Sequence, residues 1–446
     1  MDASAAPSVS LFDELGEEIV AAFAVQRESV PAALLYGPDA AEQLAMRLTA
    51  EAQGRRALLF GDARTRAVAG AELERAMSAL GWTCSWLMLP DGPDGAKPEC
   101  DGAMRARCAA MLSPADVYVA VGSGVVNDLT KWLAAEQGVR YAVLATAASM
   151  NGYSAANAAP AIDGVKSLVH ARAPRYVSAI PRVIETAPAA MTASGLGDLI
   201  ARSVSTADWL MNHLLFGEPF SEPLAQAALA AEQGYLDSPQ ALARREPQAI
   251  RGLFEALIHS GCAMTLHGSS LPASGGEHLI SHALDMMAWA DGTGHDLHGR
   301  QVGVATIFTA ALYQRVMSIE PPTVQCASAP LEPGVWKQAA AAVGREHARK
   351  VAVVQQACDW LGRPGAWERL RAALRPVLRE PADLRERLKL AGAAWRLQDI
   401  GCSRERFVQA VTHCGAIRAR FTSIDLGWIT GILPGEAPRI VSEWLS

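Results

Sequence analysis

Residues 117–128 read VYVAVGSGVVND: five apolar, strand-favouring residues, Val117 to Val121, then Gly122-Ser123-Gly124, then Val125-Val126-Asn127-Asp128 opening a helix-like segment. An apolar run of this length, stopped by glycine, suits a strand buried on both faces. The same rhythm recurs on either side. Residues 33–36 (ALLY) meet Gly37-Pro38-Asp39 and then AAEQLAMRL, and residues 57–60 (ALLF) meet Gly61-Asp62 and then AVAGAELERAMSALG. Residues 85–89 and 141–144 repeat it. Strands alternating with helices predict parallel pairing through right-handed crossovers. The expected fold is therefore an α/β doubly wound parallel sheet, with its ligand crevice at the carboxyl ends of the strands.

From about residue 186 the pattern changes. Stretches such as TASGLGDLIARSVSTADWLMNHLL (192–215) and EHLISHALDMMAWA (277–290) carry helical periodicity, and the chain stays helical in pattern to residue 446. The expected division is a helical extension over 1–30, a dinucleotide-binding α/β domain over 31–185, and an all-helical metal and substrate domain over 186–446. The site is expected in the cleft between the last two.

Composition excludes some functions. Of 446 residues, 50% are hydrophobic and 19% charged, which allows a large core. A net charge of -6, with no basic cluster, argues against nucleic acid, whose phosphates need a cationic face. The eight cysteines form no CxxC pair and read as buried apolar side chains in a reducing compartment. The N-terminus is acidic where a signal peptide is basic, and no apolar run reaches the roughly 20 residues a membrane helix needs. A cytoplasmic location without membrane contact is expected.

Three successive strand ends carry ligand chemistry. Gly122, Ser123 and Gly124, with Asn127 and Asp128 just beyond, form a turn whose backbone N–H groups and helix N-terminus suit a pyrophosphate. A tight strand-to-helix connection explains the glycines equally well. Thr146 and Ser149 place hydroxyls after the next strand. Asp62 closes the second strand, where a carboxylate can accept from a ribose diol and repel a 2′-phosphate; a helix N-cap is the alternative. Their coincidence favours a dinucleotide, NAD or NADP.

A second constellation is Asp198, His278, His282 and His298. His278 and His282 are four apart, hence on one helical face. Two imidazoles and a carboxylate form a three-ligand set for a catalytic divalent metal with positions left open. Four of the ten histidines, 278, 282, 295 and 298, fall within one short stretch, which favours a ligand cluster over isolated core histidines. Lys166, Arg418 and Arg420 are candidate phosphate partners, with solvated surface cations as the alternative for the arginines.

GSGVVNDLTK (122–131), TAASMNGYSA (146–155), SGLGDLIA (194–201), SGGEHLISHALD (274–285) and LHGRQVGVATI (297–307) occur in the order that resembles the sn-glycerol-1-phosphate dehydrogenases of the iron-containing alcohol dehydrogenase and dehydroquinate synthase-like superfamily. The ending CGAIRARFTSIDLGWITGIL (414–433) is similar to that of bacterial members. The resemblance spans roughly residues 31–433. It implies NAD(P) along Asp62, Gly122 to Asp128, Thr146 and Ser149. It also implies zinc, nickel or iron on Asp198, His278 and His298, with His282 facing the substrate. The implied reaction interconverts dihydroxyacetone phosphate and sn-glycerol 1-phosphate, in a homodimer. Two positions depart from the pattern. Asn151 stands where the family has an aspartate that contacts substrate hydroxyls, and Ala155 stands where a serine is usual. An amide keeps hydrogen-bonding capacity but loses charge.

Three other readings remain. A metal-dependent dehydrogenase for another polyol or hydroxy compound would lack a cationic phosphate pocket. A dehydroquinate-synthase-like cyclase would place a glutamate and a nearby lysine where this chain has Asp198-Leu199-Ile200-Ala201. A catalytically silent binding homologue would explain Asn151 and Ala155, though not the intact Asp198, His278, His298 set.

Overall fold

The computed structural model of the chain describes residues 29–92, 97–320 and 322–446. All but the last two residues of the helical extension expected over 1–30 lie outside them. Six strands form one parallel sheet: β1 Ala33–Tyr36, β2 Arg56–Gly61, β3 Thr83–Met88, β4 Val117–Gly122, β5 Tyr141–Ala145 and β6 Tyr176–Ala179. Their order is β1-β6-β5-β4-β2-β3, and every neighbouring pair is parallel. The strands read from residues 117–121, 33–36, 57–60, 85–89 and 141–144 are β4, β1, β2, β3 and β5. β6, the tetrapeptide YVSA, is the addition.

The order explains where a ligand can go. From β2 the chain moves outward to β3, then returns to the other side of β2 to lay down β4, and moves outward again to β5. The reversal puts the topological switch point between β2 and β4, so Asp62 and Gly122 flank the crevice such sheets use. β4 and β5 are buried at every position, as the unbroken apolar runs require.

Two helices define the faces of the sheet. α1 (Ala40–Glu51) buries Ala40, Ala41, Leu44, Ala45 and Leu48, a stripe at three- and four-residue spacing. α2 (Gly124–Gln137) starts at the Gly122-Ser123-Gly124 turn and ends on Gly138 in the left-handed region, φ +64°. Leu35, Leu44, Leu59, Met77, Val119 and Leu144 meet in one core cluster.

The chain divides into two compact units, and the division is not linear. The first contains the sheet, the residues up to Gly195 apart from Asp163–Lys166, and also Arg244–Gly268. The returning segment carries α4 (Pro247–His267), named after α3 (Ala189–Ile200). α4 packs Phe254 against Tyr36 and Tyr153, with ring centroids 6.2 and 5.9 Å apart. At Gly261 the helix touches the 151–155 loop so closely that a Cβ would lie 2.3 Å from the Asn151 carbonyl oxygen. The second unit comprises Asp163–Lys166, Leu196–Ala243 and Ser269–Ser446. Its main helices are α5 (Gly276–Asp291), α6 (His298–Ser318), α7 (Ala340–Leu361) and α8 (Ser423–Ile429). Among the described residues, no helix is long and apolar enough to cross a membrane.

Candidate metal centre and nucleotide-binding edge

Asp198 lies near the end of α3, His278 and His282 on α5, and His298 opens α6. One ligand atom each from Asp198, His278 and His298 can be chosen so that all lie within 4.8 Å of one another. His278 Nε2 is 3.3 Å from Asp198 Oδ1. The His298 ring sits between the other two, 5.2 Å from His278 and 5.3 Å from His282, nearly parallel to the latter.

Glycines make this convergence possible. A Cβ on Gly197 would lie 1.9 Å from the Gly299 carbonyl oxygen, and one on Gly303 would lie 3.1 Å from Gly197 Cα. α3 and α6 therefore meet backbone to backbone, and the residues beside the contact, Asp198 and His298, are drawn together. The glycines of SGLGD and LHGRQVG have a steric role distinct from turn formation.

Neighbouring side chains fix how the imidazoles face. His278 Nδ1 is 2.8 Å from Glu277 Oε1, which also accepts from Gly275 N at 2.7 Å. His298 Nδ1 is 2.9 Å from Ser281 Oγ, whose proton goes to Gln301 Oε1 at 2.8 Å. Both Nδ1 atoms thus act as donors, which leaves both Nε2 lone pairs for a cation. Two nitrogens and a carboxylate oxygen suit zinc, nickel or iron(II) better than a hard, all-oxygen ion. The donor set fits the implied metal. Sequence reasoning missed Glu277, Ser281 and Gln301; only adjacency to His278 pointed to the first.

Electrostatics separate the three histidines. Burial would lower His278, but hydrogen bonds to Asp198 and Glu277 outweigh it and raise the group to about 9. Burial, then the charge of His278, pulls His298 down to about 4. His282 is held well below its usual value by burial, reinforced by His298, Lys166 and Arg418. His282 Nδ1 is also buried without a hydrogen-bond partner among the described residues. The sign for metal uptake follows from His278. Without metal it is protonated below about pH 9, and a bound cation requires the neutral ring. Metal uptake at pH 7.5 is therefore expected to release about one proton. Apparent affinity should climb about tenfold per pH unit towards pH 9 and then level. Calorimetry in buffers of different ionisation enthalpy reads the proton directly; a buffer-independent heat would exclude this account.

The nucleotide edge belongs to the first unit. Ser123 is the extended residue before α2 and makes no side-chain cap, so the first-turn N–H groups stay open beside partly exposed Ser123 and Gly124. Gly122 packs against Val126, where a Cβ would lie 2.6 Å from the valine Cβ. Thr146 donates its N–H to the Gly122 carbonyl at 3.1 Å, joining the β4 and β5 ends. Thr146 and Ser149 are each 8% exposed.

Asn127 and Asp128 have protein partners. Asn127 Nδ2 reaches Asp128 Oδ1 at 3.1 Å and the Gly152 carbonyl at 3.3 Å, and Asp128 Oδ2 accepts from Ala159 N at 3.1 Å. Lys131, fully buried, donates to the Gly152 and Asn157 carbonyls at 2.6 and 2.9 Å. α2 thereby holds the 151–159 loop. In that loop Asn151 Nδ2 reaches Ser260 Oγ at 3.4 Å, and Ala155 is fully buried where Gly261 approaches its N–H. A serine there would need a partner for its hydroxyl at a tight backbone contact, which alanine avoids. Asn151 belongs to the first unit and the histidine cluster to the second.

Asp62 is an N-cap: its Oδ1 accepts from Thr65 N at 2.8 Å. Its Oδ2 pairs with Arg64 at 3.0 Å, and Arg64 pairs with Asp91 at 2.6 Å. Lys166, in the second unit, lies 5.8 Å from the Trp289 ring centroid.

The chain is similar to known proteins in sequence and in fold. The family described as iron-containing alcohol dehydrogenase matches residues 35–188. The chain is 30% identical over 259 residues to a glycerol-1-phosphate dehydrogenase [NAD(P)+] of Bacillus subtilis, covering 58% of this chain and 66% of the relative. It is 31% identical over 283 residues to the protein of the same name from Bacillus velezensis, covering 64% and 72%. With that of Pyrococcus furiosus it shares 37% over 195 residues, 44% and 55% of the two chains. The chain thus spans about two thirds of the Bacillus relatives and about half of the archaeal one. Among solved structures, glycerol dehydrogenase from Schizosaccharomyces pombe aligns with a TM-score of 0.60 at 14% identity, covering 93% of this chain and 92% of that one. NADH-dependent butanol dehydrogenase A from Thermotoga maritima gives 0.60 at 15% identity, covering 95% and 98%. The chain belongs to the glycerol-1-phosphate dehydrogenase group of the iron-containing alcohol dehydrogenase family.

Proposed function

We propose that this chain interconverts dihydroxyacetone phosphate and sn-glycerol 1-phosphate, using NAD(H) or NADP(H) and one divalent metal. The observation that carries the reading is the Asp198, His278, His298 set, whose ligand atoms lie within 4.8 Å of one another, with both Nδ1 atoms engaged by neighbouring side chains. When bound, a divalent ion there supplies Lewis acidity at the substrate oxygen, while the nicotinamide supplies or accepts the hydride.

The chain's own residues do the rest. Glu277 and Ser281 hold the two ligand rings in one tautomer and orientation. His282, neutral and with an unpartnered Nδ1, hydrogen bonds the substrate and passes a proton at its oxygen. Asn151 supplies an amide for a substrate hydroxyl, and Lys166 a cation for the phosphate. The open first turn of α2 takes the pyrophosphate, with Thr146 and Ser149 at the neighbouring strand end.

Asp62 bears on the choice of nucleotide. Its carboxylate is shared between a cap and Arg64, so the corner presents an anion beside a displaceable guanidinium. Asp62→Ala should cost about 1 kcal/mol through the lost cap. It should also raise kcat/KM for NADPH relative to NADH by roughly tenfold, as the carboxylate that repels a 2′-phosphate is gone while Arg64, still paired with Asp91, stays at the corner. An unchanged ratio would show that Asp62 does not read the ribose.

The direct test is NADH and NADPH oxidation with dihydroxyacetone phosphate, on protein stripped of metal and reconstituted with zinc, nickel or iron. Turnover restored by metal, giving the 1-phosphate enantiomer, is the expected result. Silence with every metal, despite nucleotide binding, would remove the reading.

A further inference from the structure

The helix Arg202–Phe216 of the second unit carries a carboxylate that the chemistry above leaves unused. Asp208 is 1% exposed, and four neutral donors meet it. Its Oδ2 accepts from Gly276 N at 2.7 Å and from Ser423 Oγ at 3.4 Å. Its Oδ1 accepts from Ser423 N at 2.9 Å and from the Tyr313 hydroxyl. Among the described residues, no cation pairs with it.

The donors share a location. Gly276 is the first residue of α5, two before His278, and Ser423 is the first residue of α8. Tyr313 stands on α6, the helix that His298 opens. The glycines show how close the approach is. A Cβ on Gly275 would lie 2.4 Å from Asp208 Oδ2 and 2.8 Å from Glu277 Oε2. One on Gly276 would lie 2.3 Å from Ser423 Oγ. Residues without side chains let the start of α5 settle onto the carboxylate.

A buried carboxylate without a cation is costly. Burial, then the charge of Glu277, pushes Asp208 up to about 7, against the hydrogen bonds from Tyr313, Gly276 and Ser423. An asparagine of the same shape would avoid the charge. It has one acceptor oxygen, however, where donors stand at two, and its amino group would face N–H groups. The carboxylate is thus required by its surroundings, and those surroundings lead to the metal ligands. Asp208 holds the Gly276 N–H, and Glu277 holds the neighbouring Gly275 N–H at 2.7 Å and His278 Nδ1 at 2.8 Å. Glu277 Oε2 is buried with no hydrogen-bond partner among the described residues. The aim of the Glu277 carboxylate therefore depends on the turn that Asp208 fixes.

We propose that Asp208 is a positioning residue of the metal centre: by gathering the Gly276 N–H, Ser423 and Tyr313 on one carboxylate, it sets the turn from which Glu277 orients the His278 ring. The inference rests on the metal-dependent reading above, and metal binding probes it without turnover.

The test titrates full-length, metal-stripped wild type, Asp208→Asn and Tyr313→Phe with zinc and with cobalt(II). Zinc affinity is expected to fall roughly 10- to 100-fold in Asp208→Asn. Tyr313→Phe, which removes one donor of four, should lose about three- to tenfold. The visible absorption bands of bound cobalt(II), which report ligand geometry, should shift or weaken in Asp208→Asn. A carboxylate that only stabilises the fold would lower the melting temperature while zinc affinity and the cobalt spectrum stayed at wild-type values. That result overturns the proposal. Glu277→Gln tests the route. Adding Asp208→Asn to it should weaken zinc binding by less than about threefold more, because Asp208 acts through Glu277. Full additivity of the two losses overturns that route. If Asp208→Asn fails to fold, Tyr313→Phe decides, and unchanged affinity with an unchanged spectrum overturns the proposal. A wild type that binds neither ion removes the metal-dependent reading and the positioning role together. Metal that binds in wild type and weakens as expected in the variants, without turnover of dihydroxyacetone phosphate, keeps the positioning role and removes the proposed substrate.

Discussion

His298→Ala is expected to lose bound metal and turnover together, with kcat/KM down roughly 10³-fold or more. Three ligands are the fewest that hold a catalytic divalent ion while leaving it open to substrate, so removing one strips the site. The Lewis acidity forfeited is worth several kcal/mol of barrier, which is that fold-change. The Ser281–Gln301 chain sets the tautomer of the His298 ring, and Ser281→Ala should reproduce a milder form of the loss, roughly 10- to 100-fold in metal affinity. Metal content by mass spectrometry, measured beside activity on the same preparation, checks both. An active His298→Ala protein without metal would end the ligand assignment.

Gly197→Ala should be nearly as damaging, though Gly197 offers no ligand. The added methyl would sit 1.9 Å from the Gly299 carbonyl oxygen and 2.8 Å from its carbon. Neither atom can swing aside as a flexible side chain would, so α3 and α6 must part. Overpacking of this kind costs on the order of 3 kcal/mol. In a unit of this size, that corresponds to a melting temperature lower by roughly 5–10 °C. The opening also separates Asp198 from His298, so metal affinity should fall along with stability. Gly303→Ala, with its Cβ 3.1 Å from Gly197 Cα, should show the same pair of effects more weakly. If Gly197→Ala melts as wild type and keeps its metal, the backbone contact is not what assembles the centre.

Much of this was legible in the sequence, for definable reasons. The strands at residues 33–36, 57–60 and 117–121 announce themselves because a doubly covered sheet needs unbroken apolar runs and the glycine turns punctuate them. β6 did not, because Tyr176-Val177-Ser178-Ala179 is short and contains a serine. Ser178 is nevertheless fully buried and donates to the Ala40 carbonyl at 2.9 Å, a partner no local pattern reveals. His278 and His282 were legible through their four-residue spacing and His298 through its proximity in the chain. Gln301 and Ser281 were not, since their contribution is a contact between helices. Gly197 was visible but read only as part of a motif; its steric role depends on Gly299, about a hundred residues on. Asp62 shows the limit differently, because the cap and the ribose acceptor have one sequence signature, and the structure displays the cap while leaving the other role to experiment.

α4 has a consequence for how the protein is made. Phe254 is fully buried against Tyr36 and Tyr153, so the first unit draws an essential wall from a segment that follows the start of the second. On the ribosome, the sheet and its loops have all been synthesised by residue 195, yet their apolar face at Tyr36 and Tyr153 waits for some seventy further residues to be made. At about 5–20 residues per second, that leaves the nascent sheet uncovered for several seconds. The interval is one in which a chaperone has something to hold, and a stalled or truncated message ending before residue 268 would release a chain with its core open.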